Sequence, residues 1–101
     1  MFEIVFSDHF KKTFRKVIEK DQVLKASLQK ALDILTQNPF YSSLQSHKVD
    51  TKRNKNVWSS RVNGDWRIVW VFDDETKKTV ILCLEVGTHS GSNQIYPKKS
   101  S

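Results

Sequence analysis

Apolar residues recur along this chain with two different periods, and the change of period marks its elements. Residues 2–6 (Phe-Glu-Ile-Val-Phe) alternate and predict a first strand. The spacing then becomes helical: Phe10, Phe14, Val17 and Ile18 share one face, after Ser7 or Asp8 as cap, while Lys11, Lys12, Arg15, Lys16 and Lys20 fill the rest. A second helix is predicted from Asp21 or Gln22 to Gln37, with Leu24, Leu28, Ala31, Leu32 and Leu35 as its stripe. Asn38-Pro39 stops it, because a residue before proline is pushed out of the helical region.

Residues 38–55 are polar and turn-rich, with little periodicity. Three strand candidates follow: Val57 to Val62, Trp66 to Phe72 and Thr79 to Val86, the last reached through the charged turn Asp73 to Lys78. Trp66 to Phe72 is apolar at nearly every position, as a central strand covered on both faces should be. Short connections make neighbouring strands antiparallel. The order β-α-α-β-β-β predicts a two-layer α+β fold, with a helical hairpin packed on one face of a twisted antiparallel sheet and the other face open. Residues 1–101 read as a single domain, with a tail expected to be mobile beyond Tyr96.

Alternation then selects the side chains of the open face. Trp66, Ile68, Trp70 and Phe72 suit the helix side, which leaves Arg67, Val69 and Val71 opposite. In the preceding strand Trp58 and Val62 match the core, which leaves Arg61 with Ser59 and Val57 on the open face. The two arginines flank the tight connection Val62-Asn63-Gly64-Asp65-Trp66. Two guanidiniums side by side repel unless an anion lies between them, and their forks fit phosphate oxygens. The competing reading pairs each arginine with a surface carboxylate such as Asp65, Asp73 or Glu85. His89 follows Gly87, at the expected end of the last strand, and imidazole can donate a proton near neutral pH. Tyr96 is either a substrate contact or a residue that packs the tail. His47 precedes a basic cluster, Lys48, Lys52, Arg53 and Lys55, with Asp50 alone against it.

Charge supports a polyanionic partner. Seventeen Lys and Arg face eleven Asp and Glu, a formal net charge of +6. With 38% hydrophobic residues and 11% aromatic, the chain is a folding one rather than a disordered one. No run of about 18 apolar residues and no signal-peptide pattern occurs, so a cytoplasmic protein without a membrane partner is expected. Cys83, the one cysteine, lies in an apolar run and is expected to be a buried, inert thiol. The three histidines and the cysteine lack metal-ligand spacing, so no metal and no cofactor is predicted. Walker, GxGxxG and GxSxG motifs are absent.

The element order, the segment Arg61-Val62-Asn63-Gly64-Asp65-Trp66-Arg67-Ile68-Val69-Trp70 and the closing Val86-Gly87-Thr88-His89 resemble the RelE/ParE toxin superfamily. The likeness spans nearly the whole chain and is strongest between His47 and His89. His47-Lys48 is similar to the "HK" element of RelE-type members. Gly87-Thr88-His89-Ser90 resembles the closing motif of the YafQ branch, where the histidine is catalytic, and Asp65 matches an active-site aspartate of that branch. Arg61 is as in the YoeB type, where YafQ carries histidine, and Arg67 matches an arginine set against the scissile phosphate. Two departures stand out: relatives usually place an aromatic four residues after the terminal histidine, where this chain has Asn93, and the YoeB-type glutamate base is missing.

The resemblance implies the toxin of a type II toxin–antitoxin system. Such a toxin is a metal-independent endoribonuclease (an mRNA interferase) that cuts mRNA on the ribosome and is neutralised by a cognate antitoxin. It implies catalytic roles for Arg61, Arg67 and His89, a base among His47, Asp65 and a lysine, an accessory role for Tyr96, and RNA backbone contacts for Lys48, Lys52, Arg53 and Lys55. A ParE-like DNA gyrase inhibitor and a non-catalytic RNA- or protein-binding homologue are the alternatives.

Overall fold

The computed structural model describes residues 2–73, 77–89 and 94–96. Residues 74–76 of the charged turn, Ser90, Asn93 and the tail after Tyr96 lie outside the described residues. The chain runs β1 (Glu3–Phe6), α1 (Asp8–Lys20), α2 (Gln22–Gln37), a single 3-10 turn at Ser42–Leu44, β2 (His47–Val49), β3 (Val57–Arg61), β4 (Trp66–Phe72) and β5 (Val80–Thr88). Ser7 caps α1, its Oγ accepting from the Phe10 amide at 3.0 Å. Asp21 ends α1 and caps α2, its Oδ1 accepting from the Leu24 amide at 3.0 Å. One aspartate thus turns the helical hairpin. Asn38 closes α2, its amide still bonded to Ile34 O at 2.8 Å, and the buried Pro39 prevents continuation.

The sheet order is β1-β5-β4-β3-β2. Two features depart from the sequence expectation. The sheet is mixed, because β1 runs parallel to β5 while the other pairs are antiparallel. A fifth strand, β2, lies inside the segment read as irregular; its three residues are too few for alternation to show. The helices cover one face, burying Phe10, Leu28, Leu35, Ile68, Trp70, Ile81, Cys83 and Val86. The aromatic set of β4 lies on this side, as its alternation predicts.

The opposite face is not wholly open. Val57, Val69 and Ile95 form a second, smaller cluster there, with Val49, Val71, Leu84 and Tyr96 packed against it. The loop after β2 crosses this face to β5. Thr51 Oγ1 and Asn54 Nδ2 donate to Glu85 Oε2 at 2.6 and 2.7 Å, and the Lys52 amide donates to Ile95 O at 2.8 Å. Among the described residues, the end of the sheet near the β3–β4 hairpin, with the exposed Arg61, and the β1 edge, with the exposed Val5, stay uncovered by it.

A bulge in β5 decides what reaches that end. Val69 pairs with Glu85 but Trp70 pairs with Cys83, so Leu84 is the extra residue. Ile81 and Cys83 belong to the helix-side core, and so does Val86, three positions on. Unbroken alternation would have sent Glu85, Gly87 and His89 into that core. The bulge moves all three to the other face.

Candidate active site

The hairpin Arg61–Arg67 builds the centre of the site. The two arginines are direct cross-strand partners, so both side chains leave the same face. Asn63 shapes the turn between them: its Oδ1 accepts from the amides of Asp65 (2.9 Å) and Trp66 (2.8 Å). Its carbonyl oxygen accepts from Arg61 Nε at 3.2 Å and from Arg67 Nη1 at 2.7 Å. Arg67 Nη1 also donates to Trp66 O at 2.9 Å, and Nη2 to Gly64 O at 3.4 Å. One carbonyl dipole therefore eases the repulsion between two like charges. Among the described residues, the partners of both guanidiniums are carbonyl oxygens, not the carboxylates of the competing reading. Glu85, one of those carboxylates, is 2% exposed and engaged by Thr51 and Asn54.

Gly87 stands opposite Arg67 on β5 and sets no side chain of its own against the guanidinium. The His89 amide donates to Asp65 O at 2.8 Å, which extends the β4–β5 ladder past its last pair. The exposed His89 ring meets Tyr96 edge to face, centroids 5.2 Å apart. Tyr96 is held in turn by Ser59, Oη to Oγ 2.7 Å. Ser59 is fully buried and is the cross-strand partner of His47 on one side and Val69 on the other. His47 therefore shares this face, and its Nδ1 lies 2.9 Å from Gln45 O. A carbonyl can only accept, so Nδ1 carries a proton, and in the neutral ring the lone pair falls to Nε2.

The face thus gathers Arg61, Arg67, His89, Tyr96 and His47. Asp65 enters through its backbone at the turn. Lys48 does not join: it pairs with Trp58 in register, lies over that ring at 5.1 Å and donates to Asn56 O at 3.3 Å, on the helix side. Lys52, Arg53 and Lys55 are exposed on the crossing loop. Cys83 is completely buried, and burial alone pushes its thiol up to about 12, as expected of an inert packing residue. Three contributors have roles that residue order does not assign: Asn63 in the turn, Ser59 on the open face and Glu85, which residue order offers only as an arginine partner. Ser59 had a signal, a polar residue in step with Arg61 on its strand, whereas Glu85 reaches this side through the bulge.

Two helices on a five-stranded mixed sheet, with this hairpin at one end, form an α+β fold of the RelE-like toxin type. The chain superposes on YafQ from E. coli strain BL21(DE3) with a TM-score of 0.65 at 20% identity, over 87% of this chain and 93% of that one. A YoeB/ParE toxin from Agrobacterium tumefaciens gives 0.69 at 11% identity, over 88% and 100%. The archaeal RelE–RelB complex from Pyrococcus horikoshii OT3 gives 0.67 at 15% identity, over 90% and 98%. No protein-family model and no curated protein sequence matches the chain. No helix among the described residues is long and apolar enough to cross a membrane.

Proposed function

We propose that this chain is the toxin of a type II toxin–antitoxin system and a cytoplasmic endoribonuclease that cleaves mRNA on the ribosome without a metal. The observation that carries the reading is the Arg61–Arg67 pair, aimed from one face and bonded, among the described residues, to carbonyls, with His89 just past the end of the neighbouring strand. In the reaction the RNA 2′-oxygen attacks its adjacent phosphorus. The new P–O2′ bond closes a 2′,3′-cyclic phosphate as the P–O5′ bond breaks. Arg61 and Arg67 stabilise the charge that grows on the phosphorane oxygens, and the carbonyls that hold Arg67 limit its reorganisation. His89 protonates the leaving 5′-oxygen. His47 takes the 2′-OH proton at Nε2; its tautomer supports it over Asp65, which the hairpin uses through its backbone. Tyr96 holds the His89 ring and offers a surface to a base, and Lys52, Arg53 and Lys55 bind RNA backbone.

Primer extension on cellular mRNA after brief induction tests this. Wild type should give discrete new 5′ ends, and His89→Ala should lower cleavage by about 10²–10⁴-fold while the protein stays folded. Arg67→Ala should abolish cleavage and His47→Ala should reduce it more than Asp65→Asn. Growth arrest with intact mRNA and damaged DNA would instead identify a gyrase inhibitor, and salt-sensitive RNA binding without products a non-catalytic binder.

A further inference from the structure

A second cavity, of about 460 Å³, opens where the β1–α1 junction meets the crossing loop, lined by Ser7, His9, Lys52, Arg53, Asn54 and Leu84. Its basic side chains come from two distant parts of the chain, and the loop that carries Lys52 and Arg53 is fixed. Thr51 and Asn54 anchor it to the buried Glu85, and the Arg53 amide donates to Thr51 Oγ1 at 3.3 Å. Ser7 is already used, capping α1 and donating to Leu84 O at 3.1 Å, so any attraction comes from side chains rather than from the helix end. Among the described residues Lys52 and Arg53 have no carboxylate partner. Burial, then the Arg53 cation, press the half-buried His9 imidazole toward its neutral form; Lys12 adds to this and Glu85 opposes it. Asp8, beside His9 in the chain, adds a carboxylate in the first turn of α1.

We propose that this cavity binds a backbone phosphate of single-stranded RNA, a few nucleotides from the linkage gripped by Arg61 and Arg67. The proposal rests on the nuclease reading of the arginine site. Lys52 and Arg53 are exposed and unpaired with carboxylates among the described residues, while the nearby Glu85 carboxylate is turned to Thr51 and Asn54, so both cations are available to a polyanion. Arg53 supplies a planar fork, Lys52 a point charge, and His9 a proton that the phosphate stabilises. At Leu84 the cavity lies on the arginines' side of the sheet, one strand spacing from Arg67 and two from Arg61 and about three residues along, roughly 11–14 Å away. A strand held at both points is confined to one line across this face.

The test follows the His9 imidazole by NMR while full-length protein is titrated with a fully 2′-O-methylated, uncleavable uridine nonamer. A 2′-O-methyl dinucleotide and inorganic phosphate are the parallel probes. The nonamer should raise the His9 pKa and the dinucleotide should not. Replacing both cations (Lys52→Gln with Arg53→Gln) should weaken nonamer binding about tenfold and lower the slope of log K against log salt by about 0.7. Dinucleotide binding should fall by much less than nonamer binding, and circular dichroism should report an intact fold. Equal nonamer affinity in the double variant, or a His9 that ignores saturating nonamer, overturns the proposal. So does inorganic phosphate that binds as tightly as the nonamer, which would mark a free-phosphate site. Cleavage is read separately by primer extension: a chain that cuts mRNA while His9 ignores the nonamer loses only this subsite.

Discussion

Tyr96 reaches the His89 ring from the far end of the chain, and one hydroxyl decides where it stops. Ser59 offers its Oγ from a fully buried position, so the bond to Tyr96 Oη is shielded from competing water at one end. Ser59→Ala and Tyr96→Phe should each cost about 1 kcal/mol of stability, since each removes the same bond. The double variant should cost little more than the worse single one, because the two residues share it. Urea denaturation of the four proteins measures that coupling, and fully additive losses would show that the bond contributes nothing. Cleavage should fall in both single variants as the ring wall loosens. Much of this site is legible from residue order. A tight turn and strand alternation suffice to put Arg61 and Arg67 on one face, and Ser59 falls in step with them. The acceptor that joins the arginines was not legible, because it is the carbonyl of Asn63, and a backbone oxygen leaves no mark in residue identity.

At the scale of elements, the helices and the three long strands follow from period and capping, whereas the features that complete the site do not. β2 is too short to alternate visibly. The parallel pairing of β1 with β5 joins the ends of the chain, which no local pattern encodes. The bulge at Leu84 carries no glycine or proline to announce it, yet it alone turns Glu85, Gly87 and His89 away from the helix-side core. Its consequence is testable through Glu85, whose buried carboxylate accepts two hydrogen bonds from the crossing loop. Glu85→Ala should destabilise the fold by about 1–3 kcal/mol, leaving Thr51 without its closest acceptor in a buried setting. The loss should be local as well as global: the amides of Arg53 and Asn54, which donate to Thr51 Oγ1, should exchange with solvent far faster while those of β4 change little. Unchanged exchange at these two amides would mean that the loop is held by Ile95 and Val57 packing instead.

For the whole molecule, the same charges that suit RNA work against the isolated fold. The formal charge is +6, and at the hairpin two guanidiniums share a single carbonyl oxygen where a carboxylate would neutralise them better. A protein that binds the folded chain alone stabilises it in proportion to the logarithm of its concentration over Kd, about 2.7 kcal/mol at a hundredfold excess. For a chain of this length that corresponds to a rise in melting temperature of about 10 °C or more. Co-expression with the product of the neighbouring gene should therefore raise both yield and melting temperature, if that product is the antitoxin of the proposed pair. Salt separates the two ways it could cover the site. Carboxylates set against Arg61 and Arg67 would lose much of the stabilisation between low and high ionic strength, whereas an apolar helix laid over the sheet would keep it. Arg61→Gln distinguishes them again, since it should weaken the first kind of complex and leave the second nearly intact. A melting temperature that the neighbouring product leaves unchanged would remove the case for an antitoxin partner, while the cleavage experiment would still stand on its own.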